Sequence, residues 1–80
     1  MFFIAFYVPD SHLEIVKEAM FAAGAGKLGQ YAKCAWQTKG LGQYLPLESS
    51  QPFAGEKGQV NFEEEYRVEM VCEDSLISKV

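Results

Sequence analysis

The chain opens with an unbroken run of apolar residues. Residues 2–8, FFIAFYV, contain no charged side chain and are followed by Pro9. A run of this length that ends at a proline is typical of a strand rather than of a helix. Successive side chains of a strand point to opposite faces, so both faces of this strand are apolar. The run therefore predicts a strand that is covered on both sides.

The second segment has the periodicity of an amphipathic helix. Its apolar stripe is formed by Leu13, Val16, Met20 and Ala23. This spacing predicts a helix over residues 11–23 that buries one face. Ser11 and Glu14 have the spacing of a capping box at its start. Gly24 lies where a C-terminal cap glycine belongs, because glycine adopts the left-handed conformation without strain.

Three glycines after the helix, Gly24, Gly26 and Gly29, have the spacing of the dinucleotide-binding fingerprint. That fingerprint needs a strand before the glycines and a helix after them, so that helix N-terminal amides face the phosphates. Here the order is reversed, because a helix precedes them and residues 31–38 alternate like a strand. We therefore interpret the glycines as a helix cap and turns.

The remainder of the chain predicts two further strands, a long loop and the start of a helix. Gly40 and Gly42 predict a turn after the strand at 31–38, leading into a short returning strand at 43–45. Residues 46–58, rich in proline and glycine, predict a loop. The alternation in NFEEEYRVEMVC predicts a strand whose 66–72 part is half-buried, with a charged outer face. A helix capped by Asp74 or Ser75 is predicted to begin at about 75 and to be cut short at Val80.

Composition and charge exclude some classes of function for this chain. The chain has 80 residues and a net charge of −4, and its seven basic residues are scattered singly. We expect a single domain over residues 1–80 that binds no nucleic acid, since nucleic acid rewards clustered lysine and arginine. The apolar start lacks a basic region and is too short to be a signal peptide or a spanning helix. We expect a cytoplasmic protein without membrane contact.

Candidate catalytic and metal-binding residues are few. His12 follows the helix cap, where a solvated side chain is expected; a ligand or general base is the alternative. Cys34 and Cys72 are expected to be buried as small apolar residues and to remain free thiols. A metal pair or a nucleophilic cysteine is the alternative, but close CxxC spacing and further ligands are absent, and His12 is the one histidine that could act as a partner base. We predict no catalytic residue, no metal site and no cofactor.

Aromatic and basic residues in the glycine-rich part form a second candidate set. The aromatic members, expected in the core or at a subunit interface, are Trp36, Tyr44, Phe53 and Phe62. Lys27, Lys39 and Lys57 lie in predicted glycine-rich turns and could meet an anion. No phosphate-loop spacing accompanies them. The candidate ligand-binding residues are Lys39, Tyr44, Phe53 and Lys57.

Several spaced motifs in order resemble one family over about residues 4–72. They are carried by Pro9, Gly24, Gly26, Gly29, Tyr31, Cys34, Gly40, Gly42, Pro46, Pro52, Gly55 and Gly58. The pattern is similar to the domain inserted in Nif-three-like (NGG-one-interacting factor three) proteins, or to a free-standing relative of it. The resemblance implies an α+β, ferredoxin-like antiparallel sheet with helices on one face, similar to PII signalling and CutA proteins, and C-terminally short. It implies that a dinuclear metal centre belongs to flanking halves that this chain lacks.

The family pattern continues past the last strand with a helix and a final strand, which are absent from this sequence. In a ferredoxin-like sheet the first strand lies between the third strand and that final strand, so we expect it to lie at a sheet edge here. An uncovered apolar edge strand favours self-association. We therefore expect a non-catalytic module of structural or regulatory role, assembled as a dimer or trimer and sensing an unknown small ligand. One alternative is a PII- or CutA-like binder of a nucleotide or divalent cation, with residues 39–58 as its responsive loop. The other is part of a metal-dependent hydrolase.

Overall fold

The structure, a computed structural model, describes residues 1–48 and 58–80. Its elements in chain order are β1 (Phe2–Pro9), a 3-10 helix (Asp10–His12), α1 (Leu13–Ala23), β2 (Trp36–Tyr44), β3 (Asn61–Cys72) and a second 3-10 helix (Asp74–Lys79). Most of the predicted loop at 46–58 lies outside the described residues, and so do Pro52, Phe53, Gly55 and Lys57. No helix in the described ranges is long and apolar enough to cross a membrane.

The three strands form one antiparallel sheet in the order β1-β3-β2. β3 is the longest strand, with 12 residues, and both neighbours pair along it. β1 pairs from Phe2 opposite Cys72 to Pro9 opposite Glu65. This confirms the predicted α+β architecture, and the strand order is that of the first three strands of a ferredoxin-like sheet. Among the described residues, β1 has one hydrogen-bonded neighbour, which is β3.

The two faces of the sheet differ in what covers them. The inner face packs against α1 and the C-terminal 3-10 helix, and its buried strand residues are Val8, Val68, Met70 and Cys72. Leu13 from α1 and Ala25 complete this core, with no buried charged or polar side chain among the described residues. The outer face carries Phe3, Ala5 and Tyr7 from β1, Glu65, Arg67 and Glu69 from β3, and Trp36 and Thr38 from β2. No described helix packs on the outer face.

The C-terminal cap of α1 is confirmed, whereas the capping box is not. Gly24 has φ +119°, and its amide bonds to the carbonyls of the last helical turn. At the other end the helix begins at Leu13, after a 3-10 turn that contains Ser11, while Glu14 lies in the first turn of α1. The Ser11 hydroxyl lies 2.8 Å from His12 Nδ1. The Glu14 carboxylate accepts from Lys17 Nζ at 3.0 Å, so neither side chain satisfies a helix amide.

The prediction of a strand at 31–38 and a turn at Gly40 and Gly42 was wrong. β2 begins at Trp36 and continues through both glycines to Tyr44, because β3 offers a pairing partner along that whole length. Residues 31–35 are not part of the strand. Where they would pair with β3, the amide of Gly26 donates to the Val71 carbonyl at 2.8 Å, so that position beside β3 is already occupied.

The C-terminal helix differs from the prediction in type and in its cap. It is a 3-10 helix that begins at Asp74, and its cap residue is Glu73, without a side-chain capping bond. The Leu76 amide donates to the Glu73 carbonyl at 3.0 Å. Six residues form too few turns for a cooperative α-helix, whereas 3-10 helices are common in short pieces.

Candidate functional site

Among the described residues, no element covers the outer face of the sheet, and β1 has a strand neighbour on one side only. Three aromatic side chains on this surface are largely exposed: Phe3 at 64%, Tyr7 at 61% and Trp36 at 69%. They are held by regular strand geometry, since Phe3 and Tyr7 alternate with inward-facing residues of β1. Large side chains exposed together on one sheet face are a feature of interaction surfaces.

Arg67 organises the centre of the outer face. Its Nη1 donates to the Tyr7 hydroxyl at 2.8 Å, and its Nε donates to Glu69 Oε1 at 2.8 Å. The guanidinium carbon lies 5.7 Å from the centroid of the Tyr7 ring, within the range of a cation–π contact. The hydrogen bond to Glu69, and then that to Tyr7, raise the pKa of Arg67. Tyr7 and Glu69 are therefore each hydrogen-bonded to a guanidinium group that stays positively charged.

Two shallow depressions lie on either side of this network. One, of about 310 Å³, is lined by Tyr7, Thr38, Glu65 and Arg67 among others. The second, of about 280 Å³, includes Phe3, Trp36 and Glu69 in its lining. The indole Nε1 of Trp36 donates to the Thr38 hydroxyl at 3.1 Å, which satisfies its polar atom and leaves the ring as an apolar platform. Both depressions are open, so they fit protruding side chains better than an enclosed small molecule.

The predicted ligand-binding residues that are described do not come together. Lys39 pairs with Tyr66 on the inner side of β2, whereas Tyr44 pairs with Asn61 on the outer side. Lys39 Nζ lies 3.2 Å from Glu64 Oε2. The hydrogen bond to Glu64, together with its charge, raises the pKa of Lys39. Burial, and then the charge of Glu63, raise the pKa of Tyr44.

Comparison with known proteins identifies the family. No family model matches the chain. A protein of Halalkalibacterium halodurans named "GTP cyclohydrolase 1 type 2 homolog" is 38% identical over 74 residues, which are 92% of this chain and 20% of that protein. A protein of the same name from Mycobacterium tuberculosis is 43% identical over 66 residues, 82% of this chain and 17% of its own length. The crystal structure of a Bacillus cereus protein related to NIF3 superposes with a TM-score of 0.81 at 35% identity, covering 98% of this chain and 19% of that one.

The chain belongs to the NIF3-like family. It spans about a fifth of the length of the curated relatives that it matches.

The glycines of the NIF3-like pattern are confirmed as cap and turn residues. Gly24, Gly26 and Gly29 all have positive φ, at +119°, +82° and +57°. Leu28 and Tyr31 exchange backbone hydrogen bonds of 2.9 Å around Gly29, which closes a tight turn. No helix follows these glycines before β2, so their amides do not converge as a dinucleotide site requires.

Two other motif pairs are joined by backbone hydrogen bonds. The Cys34 amide donates to the Gly26 carbonyl at 2.8 Å, and the Gly58 amide donates to the Pro46 carbonyl at 2.8 Å. The second bond ties together the two ends of the predicted 46–58 loop. Pro9 ends β1, and Gly40 and Gly42 lie inside β2.

The described residues considered for catalysis or metal binding do not form a common site. His12 is exposed, and Cys72 is fully buried at the end of β3. Cys34 is only half-buried and lies before β2 rather than in a strand, unlike the prediction. Trp36 and Phe62 are exposed rather than in the core. Within residues 1–48 and 58–80, no three His, Cys, Asp or Glu side chains form a group that could hold a metal ion.

The Tyr7–Arg67–Glu69 network was missed by sequence reasoning. The alternation of β3 places Arg67 and Glu69 on one face, which the sequence does show. The partner Tyr7 is 60 positions away, and only the β1–β3 register brings it opposite Arg67.

Proposed function

We propose that this NIF3-like chain is a non-catalytic module that assembles with copies of itself, with β1 as the contacting strand. The observation that carries the proposal is the position of β1: a strand with apolar side chains on both faces lies at a sheet edge, with one hydrogen-bonded neighbour among the described residues. Phe3 and Tyr7 stay exposed there on the outer face. An edge of this kind templates pairing with another chain.

The charges around β1 favour a partner that brings an apolar strand rather than a charged surface. Arg67 is already engaged by Glu69 and by Tyr7, so the central cation needs no external counterion. β1 itself has no charged side chain. A second copy supplies an equally apolar edge, and homo-oligomers built on such self-complementary patches are the commonest assemblies.

The name of the curated relatives refers to GTP cyclohydrolase, and this chain corresponds to about a fifth of those proteins. We propose assembly rather than a reaction because the feature that stands out among its described residues is the apolar strand β1 with its exposed aromatic side chains. Binding of a small ligand in a cleft between assembled copies is an added role that this proposal permits. Turnover of GTP by the chain alone would contradict the non-catalytic assignment.

The test is the solution mass, measured by size-exclusion chromatography with light scattering across a dilution series. We expect a dimer or trimer at about 10 μM, in the affinity range of specific protein contacts. Phe3→Glu places a charge on the exposed face of β1 and is expected to lower the mass to that of the monomer. The matched control is Ile15→Glu, the same kind of change at an α1 residue that is 71% exposed. A wild-type monomer, or equal loss of mass in both variants, would overturn the proposal.

A further inference from the structure

We infer that a cleft beside the C-terminal half of α1 binds a small aromatic carboxylate. The cleft lies between α1 and the glycine-rich turn segment that follows it, and its volume is about 340 Å³. Its lining residues all fall between Glu18 and Lys33, so both walls belong to one contiguous segment of the chain. The site lies within a single copy, and its occupancy is therefore independent of the proposed self-assembly.

The floor of the cleft is apolar and is held in place by the glycine turns. Phe21 and Ala22 contribute to it from α1, and Ala25 and Ala32 contribute from the following segment. The Phe21 ring lies so close to Gly26 that a Cβ there would be 2.8 Å from two ring carbons. Ala25 is 1% exposed. The apolar surface is therefore formed before a ligand arrives, as is usual for small-molecule sites.

The rim of the cleft carries a local excess of positive charge. Lys27 and Lys33 supply two ammonium groups, and Glu18 supplies one carboxylate. The rim is therefore positive in a chain whose net charge is −4. Lys33 Nζ lies 3.3 Å from Glu18 Oε2, whereas Lys27 has no ion pair within residues 1–48 and 58–80. A ligand with a single negative charge complements this rim.

Lys33 has a backbone conformation that lysine does not favour. Its φ is +55°, and it is the one non-glycine residue with positive φ among those described. The next amide, that of Cys34, donates to the Gly26 carbonyl at 2.8 Å and fixes this conformation. Unfavourable backbone conformations persist where the surrounding structure imposes them, and they are concentrated at functional sites. The conformation brings the Lys33 side chain to the rim, where it meets the anionic group of the ligand.

The volume of the cleft sets the size of the apolar body. A cavity of about 150 Å³ holds one benzene ring, and the cleft has about twice that volume. Its walls come from two segments, unlike the shallow depressions on the sheet, and its open side leaves the carboxylate in contact with water. A fused two-ring carboxylate, 2-naphthoate, matches the floor, the rim and the volume. For a ligand of this size in an open cleft we expect a dissociation constant of about 0.1–1 mM.

Titration of the isotope-labelled chain with 2-naphthoate, followed by amide NMR spectra, measures the affinity and locates the site. We expect saturable shifts centred on residues 18–33. Lys27→Gln and Lys33→Asn should each weaken binding by about two- to fivefold, the range of one exposed charge pair. Asparagine tolerates positive φ better than lysine, so Lys33→Asn should keep or raise the thermal midpoint while binding falls. The matched control is Lys79→Gln, an exposed lysine outside the cleft, which should bind like wild type.

Glu18→Gln should have the opposite effect on affinity. The Glu18 carboxylate competes with the ligand for Lys33, so its removal should strengthen binding by about two- to fivefold. Acetate, which has the charge but no rings, should cause no saturable shift at the same concentrations.

Four outcomes would overturn the inference. They are the absence of saturable shifts in wild type, equal affinity of wild type and Lys33→Asn, weaker binding by Glu18→Gln, and shifts centred on the sheet. Loss of binding in Lys79→Gln to the same extent as in Lys33→Asn would indicate a general charge effect and would also overturn it. The solution mass tests self-assembly separately, so a failure of the ligand site and a failure of the proposed function are distinguishable.

Discussion

Gly26 lies at a position where both the backbone conformation and the surrounding packing require glycine. Its φ of +82° is in the left-handed region, and a Cβ added there would lie 2.8 Å from Phe21 Cδ1 and Cε1 and 3.1 Å from the Cys34 carbonyl oxygen. Its amide and carbonyl are also both hydrogen-bonded, to Val71 and Cys34. The residue is thus enclosed by α1, β3 and the segment before β2, and Gly26→Ala should destabilise the fold.

The magnitude has two parts. Holding an alanine in the left-handed conformation costs about 1–2 kcal/mol. Inserting a methyl group against Phe21 and a fixed backbone oxygen costs about 1–3 kcal/mol more, as in other overpacked sites. We expect Gly26→Ala to lower the free energy of unfolding by about 2–5 kcal/mol. This is a large share of the stability of a small domain.

Gly29→Ala is the matched control. Gly29 also has positive φ, +57°, but no atom lies within 4 Å of an added Cβ. It should show the conformational part alone, about 1–2 kcal/mol. The gain from restricting the unfolded chain is common to both variants and cancels in the comparison.

Urea unfolding followed by far-ultraviolet circular dichroism measures the difference, and the thermal midpoint provides a second readout. In a domain of this size, 1 kcal/mol corresponds to about 4–8 °C. If Gly26→Ala is no less stable than Gly29→Ala, then the packing around Gly26 described above is wrong. If Gly26→Ala does not fold while Gly29→Ala does, the steric argument stands.

Two further outcomes test other parts of the fold. Because its contacts with Glu64 raise the pKa of Lys39, the stability from this pair should be present below pH 10.5 and lost as the pH rises through the raised pKa. The difference in thermal midpoint between wild type and Lys39→Gln should therefore shrink as the pH is raised above 10.5, and an unchanged difference would refute the contribution of the pair. A thiol reagent should modify half-buried Cys34 in the native protein but Cys72 only after unfolding, since Cys72 has no exposed surface; equal reaction rates would contradict the packing at the end of β3.

Local pattern was sufficient for several elements. The apolar run ending at Pro9 predicted β1, the stripe that includes Leu13 and Met20 predicted α1, and the alternation up to Cys72 predicted the buried face of β3. Gly24 was recognised as the end of the helix. In each case the signal is contained in neighbouring residues, because the period of the side chains is set by the backbone geometry of that element alone.

The bounds of β2 depended on which other segments lie beside it in the folded chain. Gly40 and Gly42 resemble turn residues by type, yet they lie in β2 because β3 extends far enough to pair with them. Residues 31–35 alternate like a strand but stay outside the sheet, since Gly26 already bonds to β3 at Val71. Strand preference is weak compared with the availability of a hydrogen-bonding partner, and that partner is chosen by the tertiary arrangement.

The candidate surface shows the same division. The sequence by itself determined that β1 is apolar on both faces and that the outer side of β3 is charged. Only the tertiary structure decided that Tyr7 faces Arg67 and that the aromatic rings on the outer face remain exposed among the described residues. Alternation in a strand shows which residues share a face. Strand order and register determine which residues of other elements that face contacts. Those depend on contacts between residues far apart in the chain, which no local pattern contains.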